Sequence, residues 1–103
     1  MTKETARIIE AIKAVPAGKV SSYRDIAAVA GVPNGARQVV RILHALSHLE
    51  RLPWYRIIKA DGRIAFPPGE SRNLQIALLR SEGVEVTEGG RVCYSRYAFY
   101  VWD

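Results

Sequence analysis

Two short helices joined by a tight turn are predicted near the middle of the sequence, and this feature restricts the fold more than any other. The segment 22–25 reads Ser-Tyr-Arg-Asp, a capping box in which an acid follows serine by three residues. The helix that it starts is predicted to end at Ala30, because Gly31 suits the left-handed position after a helix. After a turn at 32–35, a third helix is predicted over 36–47. Two helices joined by a glycine-containing turn predict a helix-turn-helix.

The remaining patterns place further elements around this unit. Apolar residues at helical spacing predict a first helix over 3–15, and Pro16 ends it. Apolar runs on either side of Ala60-Asp61-Gly62 predict a β-hairpin of 57–59 with 63–66. A fourth helix is predicted over 71–82, with Gly83 as its stop. The third helix is expected to bury Val39, Val40, Leu43 and Leu46, and the fourth Leu74, Ala77 and Leu78.

These elements together predict the fold class. A helix-turn-helix followed by a hairpin is a winged-helix pattern, so we expect a mainly α fold with a small β-hairpin. The chain of 103 residues suffices for one domain, 1–103. The aromatic tail is expected to pack on the core as a terminal ribbon, with side chains from Tyr94, Tyr97, Phe99, Tyr100 and Trp102.

The charge is positive and unevenly distributed. The formal net charge is +5, and residues 1–63 hold all four lysines and seven of the arginines against five acids. Arginine suits bidentate contacts to phosphate, so this distribution favours a polyanionic partner such as nucleic acid. A basic surface that merely keeps the protein soluble is the alternative on charge alone.

Several other function classes find no support in the sequence. No apolar stretch approaches the roughly 20 residues of a membrane span, and none precedes the first helix as a signal peptide would. Cys93, the one cysteine, has no partner for an internal disulfide, so we expect a cytoplasmic protein, associated with the nucleoid when bound to DNA. His44 and His48 have metal-compatible spacing but no matching third ligand, so neither metal nor cofactor is expected. Cys93 is expected to be packed or inert.

A family resemblance extends this interpretation. The motifs Gly18-Lys-Val-Ser-Ser-Tyr23, Gly35-Ala-Arg37 and Pro53-Trp-Tyr-Arg-Ile57 resemble the C-terminal domain of the O6-alkylguanine-DNA alkyltransferases in order and separation. The resemblance covers about residues 4–86 and includes Leu78-Leu-Arg-Ser-Glu82. The transferases carry Pro-Cys-His-Arg-Val at the third motif, so Trp54 stands where their acceptor cysteine does. This substitution resembles the alkyltransferase-like proteins, which bind the lesion without repairing it.

The resemblance implies roles for individual residues. Arg37 is similar to the arginine finger that fills the gap left by a flipped nucleotide, and Tyr23 to the tyrosine that contacts the flipped base and the rotated phosphate. The third helix would lie in the minor groove. Arg56 and Glu82 resemble structural or relay residues. The lesion pocket is expected to include Trp54, Tyr23, Tyr55 and Phe66, and the DNA contacts Arg37, Tyr23, Ser22, Gln38 and Arg41.

The resemblance also predicts a function and leaves two alternatives. We expect a non-enzymatic monomer that binds O6-alkylguanine in double-stranded DNA by nucleotide flipping and flags it for nucleotide-excision repair proteins. Tyr55 replaces the histidine that activates the transferase thiol, and the loop at Phe66 lacks the usual hydroxyl. One alternative is a winged-helix transcription regulator, and the other is a residual alkyltransferase that uses Cys93.

Overall fold

The first helix forms one side of the core. The computed structural model describes residues 1–101, and α1 spans Lys3–Lys13. The Thr2 side chain caps the helix by accepting a hydrogen bond from the Thr5 backbone N–H at 3.0 Å. Its apolar stripe buries Ile8, Ile9 and Ile12, as the helical spacing predicts. No helix within residues 1–101 combines the length and the apolar character that crossing a membrane requires.

The predicted helix-turn-helix is present. Helix α2 spans Tyr23–Val29, and the Ser22 side chain caps it by accepting from the Asp25 backbone N–H at 3.0 Å. Gly31 has a φ of +75°, the left-handed conformation that closes the helix end. Helix α3 spans Ala36–Glu50, three residues longer than predicted. The serine cap therefore determines where α2 begins, whereas α3 begins after the turn at Gly35 without a side-chain cap.

The small sheet is a parallel pair and not the hairpin that the sequence predicts. Strand β1 is Ser21–Ser22, and strand β2, Ile57–Ile58, pairs with it in the register Ser21↔Ile57. A turn does follow β2, since the Lys59 backbone N–H donates to the Arg63 carbonyl at 2.9 Å. The chain beyond this turn pairs instead with the tail, through an isolated antiparallel bridge between Arg63 and Arg91.

Burial on both faces of β2 explains this pairing. Ile57 packs into a cluster with α1, α2 and α3, whereas Ile58 packs into a second cluster with Leu79, Val84 and Val92. Neighbouring residues of a strand point to opposite faces, so β2 lies between two apolar layers. A hairpin with one solvated face would leave one of these isoleucines exposed, whereas the observed parallel pair with β1 is covered on both faces.

The buried face of the fourth helix differs from the predicted one. Helix α4 spans Glu70–Ser81 and buries Gln75 and Leu79, whereas Leu74 and Ala77 are exposed and Leu78 is half-buried. The expected apolar face was wrong because a glutamine occupies the buried stripe. Its side-chain amide donates to the carbonyls of Tyr55 at 3.0 Å and Ile57 at 3.2 Å, which satisfies the buried N–H groups.

The buried stripe of α3 is also narrower than predicted. Val39 is fully buried and Ile42 accompanies it, while Leu43 and Leu46 are half-buried and Val40 is exposed. Val40 and Leu43 instead line a cavity between α3 and α4. Apolar residues at helical spacing therefore do not show whether a helix face packs in the core or lines a cavity.

The aromatic tail packs on the core, but as a helix instead of a ribbon. Helix α5 spans Tyr94–Tyr97. The Tyr94 hydroxyl donates to Asp25 Oδ2 at 2.6 Å and accepts from the Ser22 backbone N–H at 2.8 Å, so the tail is fixed to the start of α2. After α5, Ala98 bridges to Val20, and the Phe99 backbone N–H donates to the Val20 carbonyl at 2.9 Å. The predicted contribution of Trp102 lies outside the described residues.

Candidate nucleic-acid interface

An apolar cavity opens between α3, α4 and the chain around β2. Its volume is about 680 Å³, within the range of roughly 300–1,000 Å³ that small-molecule pockets occupy. Helix α3 provides four lining residues at helical spacing, and α4 provides Ser71, Leu74 and Gln75. The remaining walls come from Tyr23, Trp54, Ile57, Lys59 and the segment 65–67. The cavity therefore has the size and the mainly apolar walls to accept a flat aromatic group such as a nucleobase.

Trp54 forms part of the wall and is held by other aromatic rings. It begins a 3₁₀ turn, Trp54–Arg56, that leads into β2. Its ring meets Tyr55 edge-to-face at 5.8 Å between centroids, and Phe66 in the same manner at 6.1 Å. Such contacts fix the plane of the indole beyond what burial alone does. The structure places Trp54 and Phe66 at the cavity, where the resemblance puts both.

Tyr23, the first residue of α2, lies at another edge of the same cavity. Burial raises the pKa of the Tyr23 hydroxyl above its ordinary value. The group therefore remains protonated at neutral pH and keeps a hydrogen that it can donate to a base edge or a phosphate.

Tyr55 faces away from this cavity, which corrects its assignment to the pocket. Its hydroxyl donates to Glu82 Oε2 at 2.9 Å. Arg56 Nε donates to Glu82 Oε1 at 3.0 Å, and Arg56 Nη1 donates to the Val15 carbonyl at 2.9 Å. The Gly18 backbone N–H donates to the same carboxylate at 3.3 Å. Glu82 therefore joins the 3₁₀ turn to the chain between α1 and β1.

The charge states of this network follow from its contacts. The hydrogen bond from Arg56 holds the pKa of Glu82 below its ordinary value, so the carboxyl is ionised. Burial, together with the hydrogen bond to Glu82, raises the pKa of Tyr55. A protonated phenol bound to a carboxylate has no capacity to act as a general base at neutral pH. The network therefore positions the 3₁₀ turn, as the structural role of Arg56 and Glu82 implies.

Arg37 occupies an exposed position on the first turn of α3. The turn before it is tight, since a Cβ on Gly35 would lie 2.6 Å from the Val32 carbonyl oxygen. Gly35 is the N-cap and contributes no side-chain hydrogen bond, so the start of α3 carries backbone N–H groups without a side-chain cap. Arg41 is exposed one turn later, and Gln38 is half-buried between them. This end of α3 is suited to a phosphate backbone.

Ser22 is not available as a DNA contact. Its side chain is fully buried and caps α2, and its backbone N–H donates to Tyr94. Both polar groups are thus used within the protein. The assignment of Ser22 to the DNA-contacting set is corrected to a capping role.

Cys93 is exposed and precedes α5, so of the packed or inert thiol that the sequence predicts, the packed alternative is wrong. Its sulfur is 3.7 Å from Ser95 Oγ. This contact, together with the Arg96 backbone N–H, lowers the pKa of the thiol. Cys93 nevertheless does not line the cavity that holds Trp54. Within the described chain, no group of three or more His, Cys, Asp or Glu side chains is arranged to hold a metal ion.

The cavity also includes residues that the sequence reasoning missed. His44 and Ser47 continue the α3 face that starts at Val40, and Lys59 follows Ile57 by two residues. His44 and Ser47 share the helix face of Val40, and Lys59 shares the strand face of Ile57. This spacing identifies them as lining residues only when the position of the cavity is already known. For Gln75 no pattern gave a signal, since a polar residue on an amphipathic helix is expected to face water.

Comparison with known proteins places this geometry in a family. Residues 3–84 match the family described as 6-O-methylguanine DNA methyltransferase, DNA binding domain. A DNA base-flipping protein of Vibrio parahaemolyticus is 37% identical over 97 residues, which cover 94% of this chain and 96% of that protein. Alkyltransferase-like protein 1 of Schizosaccharomyces pombe is 37% identical over 83 residues, covering 78% of this chain and 75% of that protein.

A solved structure extends the match to nearly the whole chain. The crystal structure of S. pombe Atl1 in complex with damaged DNA containing O6-carboxymethylguanine superposes with a TM-score of 0.83 and 30% identity, covering 98% of each chain. The fold class and the resemblance inferred from the motifs are thereby confirmed. With Trp54 in the motif and an apolar cavity beside it, this chain belongs to the 6-O-methylguanine DNA methyltransferase DNA-binding-domain family and resembles its alkyltransferase-like members.

Proposed function

We propose that this protein binds O6-alkylguanine in double-stranded DNA by flipping the nucleotide into the Trp54 cavity, and that it transfers no alkyl group. The observation that carries the proposal is Trp54, which stands at the acceptor position of the motif and forms a wall of the cavity. Alkyl transfer needs a thiolate, and an indole offers none. The exposed Cys93 lies outside the cavity.

The energetics of flipping favour a lesion over an ordinary base. Extruding a base costs a few kcal/mol, and least when its pairing is already weakened. Alkylation at O6 weakens the pair with cytosine. Arg37, exposed at the start of α3, fills the space that the extruded nucleotide leaves. Tyr23 donates its hydroxyl hydrogen to the flipped nucleotide, and Gln38 and Arg41 contact the DNA from the same helix.

The cavity tolerates several alkyl groups in this proposal. Burial of one CH₂ contributes about 0.8 kcal/mol, or roughly fourfold in affinity. An apolar wall therefore discriminates weakly between adjacent alkyl sizes. The complex of the S. pombe relative with an O6-carboxymethylguanine duplex supports a cavity of this kind.

The proposal also includes the step that follows binding of the protein to the lesion. A protein that holds a lesion without chemistry needs a downstream repair step, and we propose nucleotide-excision repair, which the bound monomer would recruit. The site of action is then cytoplasmic DNA. Co-purification of repair proteins with the chain on lesion DNA, and their absence on plain DNA, tests this step.

Competition between two duplexes of one sequence tests the core of the proposal. One duplex carries O6-methylguanine and the other guanine, and dissociation constants are measured by fluorescence anisotropy at one salt concentration. Tighter binding of the lesion is expected, and equal constants would rule out lesion recognition. The mass of the protein after incubation should not change, whereas an added methyl group on Cys93 would establish the residual-enzyme alternative.

A further inference from the structure

One buried polar side chain at the cavity keeps a hydrogen-bond acceptor that the protein does not use. Gln75 lies in the middle of α4, is 2% exposed and lines the cavity. Its Nε2 donates to the carbonyls of Tyr55 at 3.0 Å and Ile57 at 3.2 Å. A primary amide has two N–H hydrogens, so both of them are bound within the protein.

The same two contacts fix the position of the amide oxygen. Only the NH₂ end of the amide can face two carbonyls, so Oε1 of Gln75 is the other end. No group within residues 1–101 donates to Oε1, yet this oxygen is not sealed from solvent. Because Gln75 is otherwise enclosed and lines the cavity, the access to Oε1 is through the cavity.

An open acceptor in this position favours a ligand that carries a donor. Filling the cavity with a group that has no N–H or O–H there removes water from Oε1 and returns no hydrogen bond, which is unfavourable. A donor on the ligand restores the bond. Nε2 already anchors the amide, so the contact costs little additional ordering of the side chain.

An O6-alkylated guanine has one suitable donor on the edge that bears the adduct. Alkylation at O6 leaves N1 without its hydrogen, whereas the exocyclic amino group at N2 keeps both of its hydrogens. Gln75 is bonded to the carbonyl of Tyr55, the residue after Trp54, and both Gln75 and Trp54 line the cavity. A base whose adduct approaches Trp54 therefore brings the edge that carries N2 to the same wall.

On this basis we propose that Gln75 determines specificity for the base, with Oε1 accepting a hydrogen bond from the N2 amino group of the flipped guanine. The inference rests on the proposed function and adds recognition of the base to recognition of the adduct. One net hydrogen bond corresponds to a preference of about three- to tenfold over the same adduct on a base without the amino group.

Two duplexes of one sequence test the proposal. One carries O6-methylguanine and the other O6-methylhypoxanthine, which lacks only the amino group. Each modified base stands opposite an abasic site, so neither has a pair to break, and the two compete for the protein in fluorescence anisotropy. The wild-type protein should prefer O6-methylguanine by about three- to tenfold.

Three variants locate the preference. Gln75→Met removes the amide at similar volume and should bring the ratio near one. Gln75→Glu keeps an acceptor oxygen in either protonation state and should retain the preference. Ser47→Ala is the matched control, because Ser47 lines another wall and its hydroxyl already donates to the Leu43 carbonyl. It should leave the ratio unchanged, and circular dichroism verifies the fold of each variant.

The outcomes separate this inference from the proposed function. Equal affinities of the wild-type protein for the two adducts would overturn the inference without any variant. An equal loss on both duplexes in Gln75→Met, with the ratio retained, would make Gln75 a purely structural residue and also overturn it, as would loss of the preference in a folded Gln75→Glu. The proposed function is decided independently, by the competition between paired O6-methylguanine and guanine duplexes.

Discussion

At the residue scale, Arg37 is either an exposed positive charge or the side chain that fills the space left by the flipped nucleotide, and its removal distinguishes the two roles. Arg37→Ala should weaken binding to an O6-methylguanine duplex by about tenfold or more, because the extrahelical state loses its filler as well as one charge. The slope of log affinity against log salt should change by only about one unit. Anisotropy titrations at several salt concentrations measure both quantities.

The matched control for this variant is Arg96→Ala. Arg96 is exposed and pairs with Glu85 at 3.1 Å, on the tail side of the molecule. Its loss should change affinity little. A similarly small loss in Arg37→Ala would show that Arg37 acts only as a surface charge.

Trp54 and Tyr55 together explain why a single substitution should not restore chemistry. In Trp54→Cys the new thiol has an ordinary pKa of about 8.5, so a few per cent is thiolate at neutral pH. Tyr55 supplies no base, because its hydroxyl is donated to Glu82 and its pKa is raised. We expect methyl transfer from an O6-methylguanine oligonucleotide to be slow, as followed by protein mass over time.

The double variant Trp54→Cys with Tyr55→His tests whether the absent general base limits transfer. Adding Tyr55→His to Trp54→Cys should raise the transfer rate if the absent base is responsible. Rapid stoichiometric methylation of Trp54→Cys would show that Trp54 alone prevents alkyl transfer in this fold.

At the scale of the elements, Glu82 connects the 3₁₀ turn to the loop after α1. Its side chain is 13% exposed and that of Arg56 is 15% exposed, so the pair is largely removed from water. Glu82→Gln should lower the free energy of unfolding at pH 7 by about 2–3 kcal/mol, since Arg56 loses its charged partner. Urea denaturation followed by circular dichroism measures this change.

The direction of the pH dependence follows from the lowered pKa of Glu82. A carboxyl with a depressed folded pKa stabilises the protein above its unfolded pKa, and this stability is lost as pH falls through the folded value. Glu82→Gln should therefore lose less stability than the wild-type protein on acidification below about pH 5. Glu85→Gln is the control, because Glu85 is highly exposed and should change neither quantity much. Parallel acid curves for wild type and Glu82→Gln would contradict this assignment.

The elements also show what the sequence could predict. Capping by Ser22 and the left-handed Gly31 are local chemistry, so α2 and its turn were placed correctly. The partner of β2 is distant in the chain, and alternation alone does not identify a strand that is buried on both faces. The motif located Trp54 at the cavity, but the direction of Tyr55 depends on Glu82, 27 residues later. Long-range contacts of this kind leave no periodic signal.

At the scale of the whole molecule, the basic character is concentrated in residues 1–63. Contacts to the DNA backbone carry no sequence information, so affinity should fall with salt and change little with the bases that flank the lesion. Selection from duplexes randomised around a central O6-methylguanine measures the second property. Convergence on a defined sequence motif would favour a transcription regulator instead.

The position of β2 also determines how the protein unfolds. Ile57 belongs to one apolar cluster and Ile58 to the other, so these adjacent residues contribute to both halves of the interior. Neither half can melt without stripping the packing from one face of this strand. We therefore expect cooperative loss of both halves in a single thermal transition, with coincident midpoints by far-ultraviolet circular dichroism and tryptophan fluorescence. Two separated midpoints would show that the clusters are independent folding units. In a cooperative molecule of this kind, damage to the packing behind α4 weakens α2 and α3 as well, although it touches none of their residues.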